Sequence, residues 1–231
     1  MAICHSLAHI ESWAIDLSWD IIARFGISQS MPFGFVCDFA RVALDEASHF
    51  ERLAERLKAM GGSYGDFPAH DGLWESAVET SESLMARLAI EHMVHEARGL
   101  DVLPQTISKF ENGGDKETAL VLRNFVYPEE VTHCAAGLKY YCYLYVRDHA
   151  PKQDGKDTCL RELEGLAIDS MGGTQAGDIL SKFGFNVDEV IASFHSTVRK
   201  HFHGRLKPPF NDEAREKAGF TKTWYEPLAT K

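Results

Sequence analysis

The sequence has few cysteines, and their spacing argues against two common structural devices. The five are Cys4, Cys37, Cys134, Cys142 and Cys159. They form no Cys-x-x-Cys pair or zinc spacing and are too sparse for a disulfide framework, so we predict reduced thiols in a cytoplasmic protein. The first residues lack the basic region of a signal peptide, and no apolar run approaches the roughly 18 residues that span a bilayer. We therefore expect no membrane association.

Positive charge is also in short supply. Lysine and arginine number 24 against 34 aspartates and glutamates, which gives a formal net charge of −10. A nucleic-acid surface normally needs a clustered basic patch, so this balance argues against a nucleic-acid partner. Short-period repeats and low-complexity tracts are absent from the sequence. With 231 residues, 45% of them hydrophobic, the chain can build one large core, and we predict a single domain over residues 1–231.

Two Glu-x-x-His tetrads are the most informative feature that is present. They occupy Glu46–His49 and Glu130–His133. A lone glutamate precedes each tetrad on a helix-like segment: Glu11 lies 35 residues before the first tetrad, and Glu96 lies 34 residues before the second. One such tetrad has little meaning, because glutamate and histidine are ordinary residues of helix surfaces. Two tetrads with matched upstream glutamates indicate a repeated functional unit.

The spacing has a physical reason. Residues three apart on an α-helix lie on one face, so each tetrad directs a carboxylate and an imidazole to the same point. One glutamate from each of two helices and a Glu-x-x-His from each of two others form the ligand set of di-metal carboxylate four-helix bundles. Carboxylates can bridge metals and imidazole suits iron, so we predict two iron ions, with manganese or a mixed pair as alternatives. The predicted ligands are Glu11, Glu46, His49, Glu96, Glu130 and His133.

The repeat also predicts how these ligands are shared. The first residue of each tetrad, Glu46 or Glu130, is best placed to bridge the two ions. The upstream glutamate and the tetrad histidine of one half would then complete the coordination of each ion. This arrangement is pseudo-twofold symmetric.

The glutamates lie on apolar faces of their predicted helices. Around Glu46, for example, the helical period places Phe39, Val42 and Leu53 on the same side. An unpaired carboxylate in such a stripe would cost several kcal/mol, and a shared pair of dications compensates that cost. The alternative is a set of buried salt bridges, whose partners would come from Arg24, Arg41, Arg87 and Arg98.

A second candidate ligand precedes Glu96 in the third helix. Glu91 and His95 form an i, i+4 pair, but Arg87 and Arg98 share their face, which we therefore interpret as solvated. A ligand at Glu91 would also lengthen the second interval to 39 residues. We prefer Glu96 for both reasons.

Other polar residues are expected beside the ligands rather than among them. Glu129 could replace Glu130 as the partner of His133, but the tetrad repeat favours Glu130. His92 lies one turn before Glu96 and is predicted to be a neighbouring or core histidine more often than a direct ligand. The residues expected around the site or its cavity are His92, His70, Cys134 and Tyr127.

Helical periodicity predicts an all-α fold with an antiparallel four-helix core over residues 1–150. Residues 63–74 form a turn-rich crossover between the two helix pairs. Pro104 predicts a bend in the third helix, and Pro128 predicts a kink or π-bulge in the fourth. The four helices are expected over about Ile3–Phe25, Phe33 or Gly34 to Met60, Glu75–Glu111 and Asp115–Asp148.

Residues 151–231 are predicted to form a helical extension and tail. A polar linker covers residues 151–157, and weaker helical stretches over 159–183 are interrupted at Met171–Gly173. A fifth helix is expected over Asn186–Phe202, followed by a proline-rich tail.

Distinctive strings extend over nearly the whole chain. They are His9–Glu11, Asp45–Phe50, the crossover Tyr64–Trp74, Glu96–Asp101, Glu130–His133 and Leu206–Asn211. Together they resemble the ferritin-like family catalogued as domain of unknown function 455. That resemblance implies a ferritin-like fold with a di-metal centre, and it independently implies Glu96 as a ligand. Members of the family usually carry a further segment before the first helix, and their link to the last helix is usually shorter than residues 153–183.

The predicted function follows from the site. Two iron ions held by carboxylates with open positions can reduce O2 and oxidise a substrate C–H bond. We therefore predict an O2-dependent oxidase or hydroxylase with a small-molecule substrate. Similarity to the bacterial tRNA hydroxylase family, which is also ferritin-like, implies that this substrate could be nucleoside-like. The alternatives are a ferroxidase or other iron-handling protein, and a metal-stabilised structural or interaction module; a homodimer is left open.

Overall fold

The computed structural model describes residues 1–149, 155–168 and 175–229. Within these ranges every regular element is helical and no strand occurs, which confirms the all-α prediction. No described helix is both long enough and apolar enough to cross a membrane. The predicted break at Met171–Gly173 and most of the predicted linker, residues 151–154, lie outside the described residues.

The first two long helices form an antiparallel pair. Helix α1 covers Ala2–Ile21 and continues into a π turn, Ile22–Gly26, and helix α2 covers Phe33–Ala59. The Cys4 thiol near the start of α1 donates to the carbonyl of Leu53 near the end of α2, at 3.6 Å. The two helices therefore run in opposite directions.

Helix α2 ends at Ala59, one residue before the predicted end at Met60, and two glycines follow. Gly61 adopts a left-handed φ of 82°, which a residue without a Cβ adopts at little cost. The N–H groups of Gly61 and Gly62 then donate to the carbonyls of Lys58 and Leu57, at 3.0 and 2.9 Å. This pairing satisfies two carbonyls that the last turn of the helix leaves free.

The predicted single third helix from Glu75 is wrong, because the structure divides this region. A short helix and a four-residue break precede the long helix. Arg87 stabilises the break, since its guanidinium donates to Thr80 Oγ1 at 2.8 Å and to the carbonyl of Ala77 at 2.6 Å. The elements are α3 (Gly72–Glu79), α4 (Leu84–Ala89), a π turn (Ile90–His95) and α5 (Glu96–Asn112).

The fourth long helix is irregular near Pro128, where the sequence predicts a kink or π-bulge. Helix α6 covers Lys116–Val121, a π turn covers Leu122–Val126, and helix α7 covers Tyr127–Asp148. Proline has no N–H for the ladder of the preceding turn, so a wider turn costs less here than in a regular helix.

Helix α7 packs against α2 and against the π turn that precedes α5. Lys139 and Tyr140 of α7 both donate to Asp38 of α2, each at 2.7 Å. Gly137 of α7 meets the π turn before α5 so closely that an added Cβ would lie 1.9 Å from the carbonyl oxygen of His92. Only glycine fits this approach.

The C-terminal segment packs on the same core and reaches α5. Arg215 donates to both oxygens of Asp101 at 2.9 and 2.6 Å, and its guanidinium lies over the rings of Phe210 and Tyr225. The predicted fifth helix is present as Val187–His201. The described helices of this segment are α8 (Lys156–Glu164), α9 (Ala176–Lys182), α10 (Val187–His201), α11 (Asp212–Lys217) and α12 (Lys222–Tyr225).

Candidate metal centre

The fold brings the six predicted ligands into one cluster inside the helix core. Two groups of four residues each offer ligand atoms that lie within 4.8 Å of one another. Glu46 and Glu130 belong to both groups. The first group adds Glu11 and His49, and the second adds Glu96 and His133.

The distances put both histidines beside the central glutamate of α2. Nδ1 of His49 lies 3.1 Å from one oxygen of Glu46, and Nδ1 of His133 lies 2.9 Å from the other. Nδ1 of His49 also lies 3.8 Å from Glu11 Oε2. Glu46 is 1% exposed, so these groups face one another without water as a screen. A carboxylate with both oxygens engaged in this way has the geometry of a bridge between two centres.

The protein groups alone do not satisfy this cluster. Both ring nitrogens of His133 are buried, and neither makes a hydrogen bond in good geometry, despite the short approach of Nδ1 to Glu46. A buried ring nitrogen without a partner is costly, and a metal ion would accept its lone pair. The donor set of four carboxylates and two imidazoles therefore fits a pair of first-row divalent ions.

Like charges crowd three of the carboxylates. Burial and the charge of Glu46 raise the pKa of Glu11 to about 8, and the same two causes raise the pKa of Glu130 to about 8. Burial and the charge of Glu130 raise the pKa of Glu96 well above its usual value. Without cations Glu11 and Glu130 therefore favour the protonated form at neutral pH, because the cluster cannot carry all its negative charges.

The pKa of Glu46 is lowered and those of the two histidines are raised, so all three groups favour their charged forms. Burial alone would raise the pKa of Glu46, but the positive charge of His133 and the close approach of both histidines to its two oxygens hold that pKa well below the usual range. Burial alone would lower the pKa of His49, but the nearby carboxylates of Glu11, Glu129 and Glu46 raise it. For His133 the charge of Glu46 likewise outweighs burial and raises the pKa. In the metal-free protein, protonated histidines thus partly replace the missing cations.

Two acidic residues outside the predicted ligand set support the histidines. Oε2 of Glu129 lies 2.6 Å from Nε2 of His49, and Oδ2 of Asp45 lies 3.5 Å from Nε2 of His133. Each acid belongs to one half of the sequence and approaches the histidine of the other half. Such outer carboxylates fix the tautomer and orientation of a metal-binding histidine. The available signal was an acidic residue directly before each tetrad glutamate.

A cavity of about 440 Å³ opens onto the cluster. All four candidate carboxylates, Glu11, Glu46, Glu96 and Glu130, contribute to its wall. This volume lies within the range of pockets that hold small organic molecules. The rest of the wall is largely apolar and includes Leu7, Ile10, Ala14, Leu17, Val102 and Leu103.

The prediction that the face of Glu91 is solvated is wrong. Glu91 and Arg87 are 2% and 1% exposed, and Glu91 lines the cavity together with His95. The cause is the π turn over Ile90–His95, where i to i+5 hydrogen bonding aligns residues five apart. Glu91 therefore lies on the same side of the helix as Glu96. In a regular α-helix, residues five apart would lie on different sides.

The residues expected beside the ligands have separate surroundings. His70 is exposed and lines the cavity, whereas His92 is buried, packs edge-on against Phe39 at 4.7 Å between ring centroids, and belongs to neither group of candidate ligands. Burial and the charge of Arg87 lower the pKa of His92 to about 3, so its ring is neutral.

Cys134 and Tyr127 are engaged by other parts of the core. Tyr127 accepts a hydrogen bond from Asn211 Nδ2 at 2.7 Å, and Cys134 is buried in the main hydrophobic core. Among the described residues, neither of them contributes to the cavity wall. All five cysteines of the chain are free thiols, and Cys134 is one of the four that are buried.

The fold and the cluster define an all-helical protein with a candidate di-metal carboxylate site. The chain belongs to the family described as "Protein of unknown function (DUF455)", whose model matches residues 1–226. It is also 39% identical over 144 residues to an "Uncharacterized protein" of Haemophilus influenzae. That match covers 61% of this chain, and the chain spans 50% of the relative's length. No solved structure matches the chain significantly.

Proposed function

We propose that this chain is a di-iron carboxylate oxidoreductase with a ferritin-like four-helix core, which uses O2 to oxidise or hydroxylate a small molecule. The observation that carries the proposal is the membership of Glu46 and Glu130 in both groups of candidate ligands. Two shared carboxylates between two Glu–His pairs is the arrangement that a dinuclear centre requires. Manganese or a mixed pair accepts the same ligands.

The negative charge of the buried carboxylates also supports a di-metal centre. Two divalent ions would neutralise the four carboxylates whose mutual repulsion raises the pKa values of Glu11, Glu96 and Glu130. They would also accept the lone pair of His133 Nδ1, which has no hydrogen-bond partner. A bound pair of iron ions supplies the electrons and open positions for reaction with O2.

Residues of the chain would position the ligands and keep water away from the site. Glu129 orients His49, and the cavity wall of leucine, isoleucine and valine side chains restricts water around the carboxylates. Hydroxylation of a C–H bond consumes O2, two electrons and two protons, and it releases water besides the alcohol. The electrons come from an external reductant.

The cavity favours an organic substrate over iron handling. An apolar space of about 440 Å³ has no use in passing hydrated iron ions, but it accommodates an apolar or nucleoside-sized molecule. We accordingly place iron handling and a purely structural metal site behind oxidation of a small molecule. A cytoplasmic location is part of the proposal and is supported by the five free cysteines.

Metal analysis tests the proposal first. Protein purified without added metal should contain about two iron or manganese ions per chain, and its ultraviolet–visible spectrum should change when the reduced protein meets O2. Fewer than one ion per chain after loading with Fe(II) would contradict the di-metal centre.

A second measurement separates the alternatives. Consumption of O2 by excess Fe(II), without turnover of any organic compound, would favour a ferroxidase. Full cellular function of a metal-free variant with an intact fold would favour a structural module. Oxidation of a small molecule that depends on both O2 and a reductant supports the proposed activity.

A further inference from the structure

Glu91 is a buried carboxylate that the candidate metal centre does not use. Its side chain has no exposed surface, and it lies in the π turn directly before Glu96. It belongs to neither group of residues whose ligand atoms converge. It nevertheless shares the cavity wall with all four candidate ligand carboxylates.

Only one of the two oxygens of this carboxylate has a hydrogen-bond partner. His95 Nδ1 donates to Oε2 at 2.8 Å, while Oε1 is buried and has no hydrogen-bond partner. An acceptor without a donor in a desolvated site is costly and is normally paired with protein, water or a ligand. Because Glu91 is among the residues that line the cavity, a molecule bound there can supply the missing donor once the side chain turns toward it.

Charge narrows the class of that molecule. Two divalent ions would balance the charges of Glu11, Glu46, Glu96 and Glu130 and leave Glu91 as a further negative group on the inner wall. Arg98 also contributes to the wall, but it is exposed to solvent, which screens its charge. His95 is partly exposed and already engages the other oxygen of Glu91. A positively charged donor therefore complements Oε1 better than a neutral donor.

We propose that Glu91 is the recognition residue of this cavity and binds the ammonium group of a small, largely apolar amine. This inference rests on the proposed function, since the cavity that would hold the amine is the one that opens onto the candidate metal centre. The apolar wall matches the carbon skeleton, and Oε1 of Glu91 matches the charged N–H donor.

Binding of defined amines to metal-loaded protein tests the inference. The probes are butylamine, hexylamine and octylamine, with the alcohols of equal chain length as neutral controls, measured by isothermal titration calorimetry. Wild-type protein should bind each amine more tightly than its alcohol. Glu91→Gln keeps the shape and removes the charge, so it should weaken amine binding by about tenfold to one hundredfold and leave alcohol binding nearly unchanged.

A matched variant and a metal count keep the outcomes distinct. Glu75→Gln removes an exposed carboxylate of α3 that is not part of the cavity wall, and it should leave every affinity unchanged. Glu91→Gln should retain the metal content of the wild type. Loss of metal in that variant would instead make Glu91 a ligand and overturn the inference.

Failure of the inference is distinguishable from failure of the proposed function. A protein with two bound ions that binds amines no better than alcohols, or binds no amine at millimolar concentration, contradicts the role of Glu91 but not the metal centre. Equal amine affinities in wild type and Glu91→Gln contradict it as well. A wild-type protein that takes up no metal contradicts the proposed function directly.

Discussion

The two halves of the candidate centre are alike in sequence and unlike in structure. Each half contributes one lone glutamate and one Glu-x-x-His tetrad, and each tetrad follows an acidic residue. In the first half these residues lie on regular α-helices, and the π turn at Ile22–Gly26 comes well after Glu11. In the second half one π turn ends directly before Glu96 and another ends just before Tyr127.

The irregular half also adds further polar side chains to the cavity wall. Its π turn directs Glu91 and His95 to the cavity, and the C-terminal segment reinforces α5 through Asp101. The first half meets the C-terminal segment through an apolar contact, since Val42 of α2 clusters with Ile168. We infer that the repeat holds the metals symmetrically, while the second half adapts the site to a ligand.

The substitutions with the largest expected effect test whether both candidate metal sites share Glu46 and Glu130. Glu46→Ala and Glu130→Ala should each lower the metal content to one ion or fewer per chain, because each glutamate belongs to both groups of ligands. Glu51→Ala, an exposed position of α2, should retain both ions when measured by elemental analysis. Two full sites in Glu46→Ala would show that the wrong face was assigned.

The reinforcement of the second half can be broken at Arg215. Its side chain is fully buried against Asp101, so Arg215→Ala leaves a buried carboxylate unpaired and should lower the free energy of unfolding by about 3–5 kcal/mol. Lys222→Ala removes an ion pair in which the lysine side chain is 58% exposed, and should leave the free energy of unfolding nearly unchanged. Equal midpoints for the two variants in urea unfolding would contradict this role.

The pH dependence of the metal-free protein reports on both halves at once. The folded-state pKa values of Glu11 and Glu130 are raised to about 8, so the folded protein binds more protons than the unfolded chain between about pH 4.5 and pH 8. His49 and His133, whose pKa values are also raised, extend the effect upward. Stability should therefore fall as pH rises through this window.

Metal loading should reverse part of that trend. The ions require deprotonated ligands, so their binding releases protons and tightens as pH rises. Calorimetric titration in buffers of different ionisation enthalpy measures the release, and urea unfolding of metal-free and loaded protein measures stability. A metal-free protein that becomes more stable from about pH 5 to about pH 8 would contradict the crowding of the carboxylates.

The outer carboxylates offer a finer comparison of the halves. Glu129 approaches His49 to 2.6 Å, whereas Asp45 remains 3.5 Å from His133. Glu129→Gln should therefore weaken metal affinity by about tenfold, the lower end of the range for such groups because its side chain is 38% exposed. Asp45→Asn should have a smaller effect. The reverse order, measured by competition with a chelator, would mean that the apparent asymmetry is lost when metal binds.

Sequence reasoning works where local geometry alone decides the outcome. The i, i+3 spacing brings Glu46 and His49 to one face, and Gly61 ends α2, because both follow from backbone geometry. The prediction for Glu91 is wrong, because the π turn over Ile90–His95 changes the helical period in that segment.

Side-chain contacts that helical periodicity does not encode are the other source of error in the sequence-based predictions. The break before α4 depends on Arg87 reaching back to Thr80 and Ala77, and the support of His49 depends on Glu129, which is 80 residues away. No periodicity encodes these contacts. A repeated acidic residue before each tetrad was the one sign that the outer carboxylates existed.

The smallest expected effect concerns access to the cavity at His70. This exposed histidine lines the cavity, and its Nδ1 accepts a hydrogen bond from the Gly72 N–H at 3.2 Å. His70→Ala should leave the fold and metal content intact, and it should speed metal removal by a small chelator roughly twofold to fivefold, since the ring no longer narrows the opening. Asp71→Ala changes the adjacent exposed residue, which is not part of the wall, and should leave that rate unchanged. Equal rates in all three proteins would limit His70 to holding the turn before α3, and access would then depend on the opposite wall near Arg98.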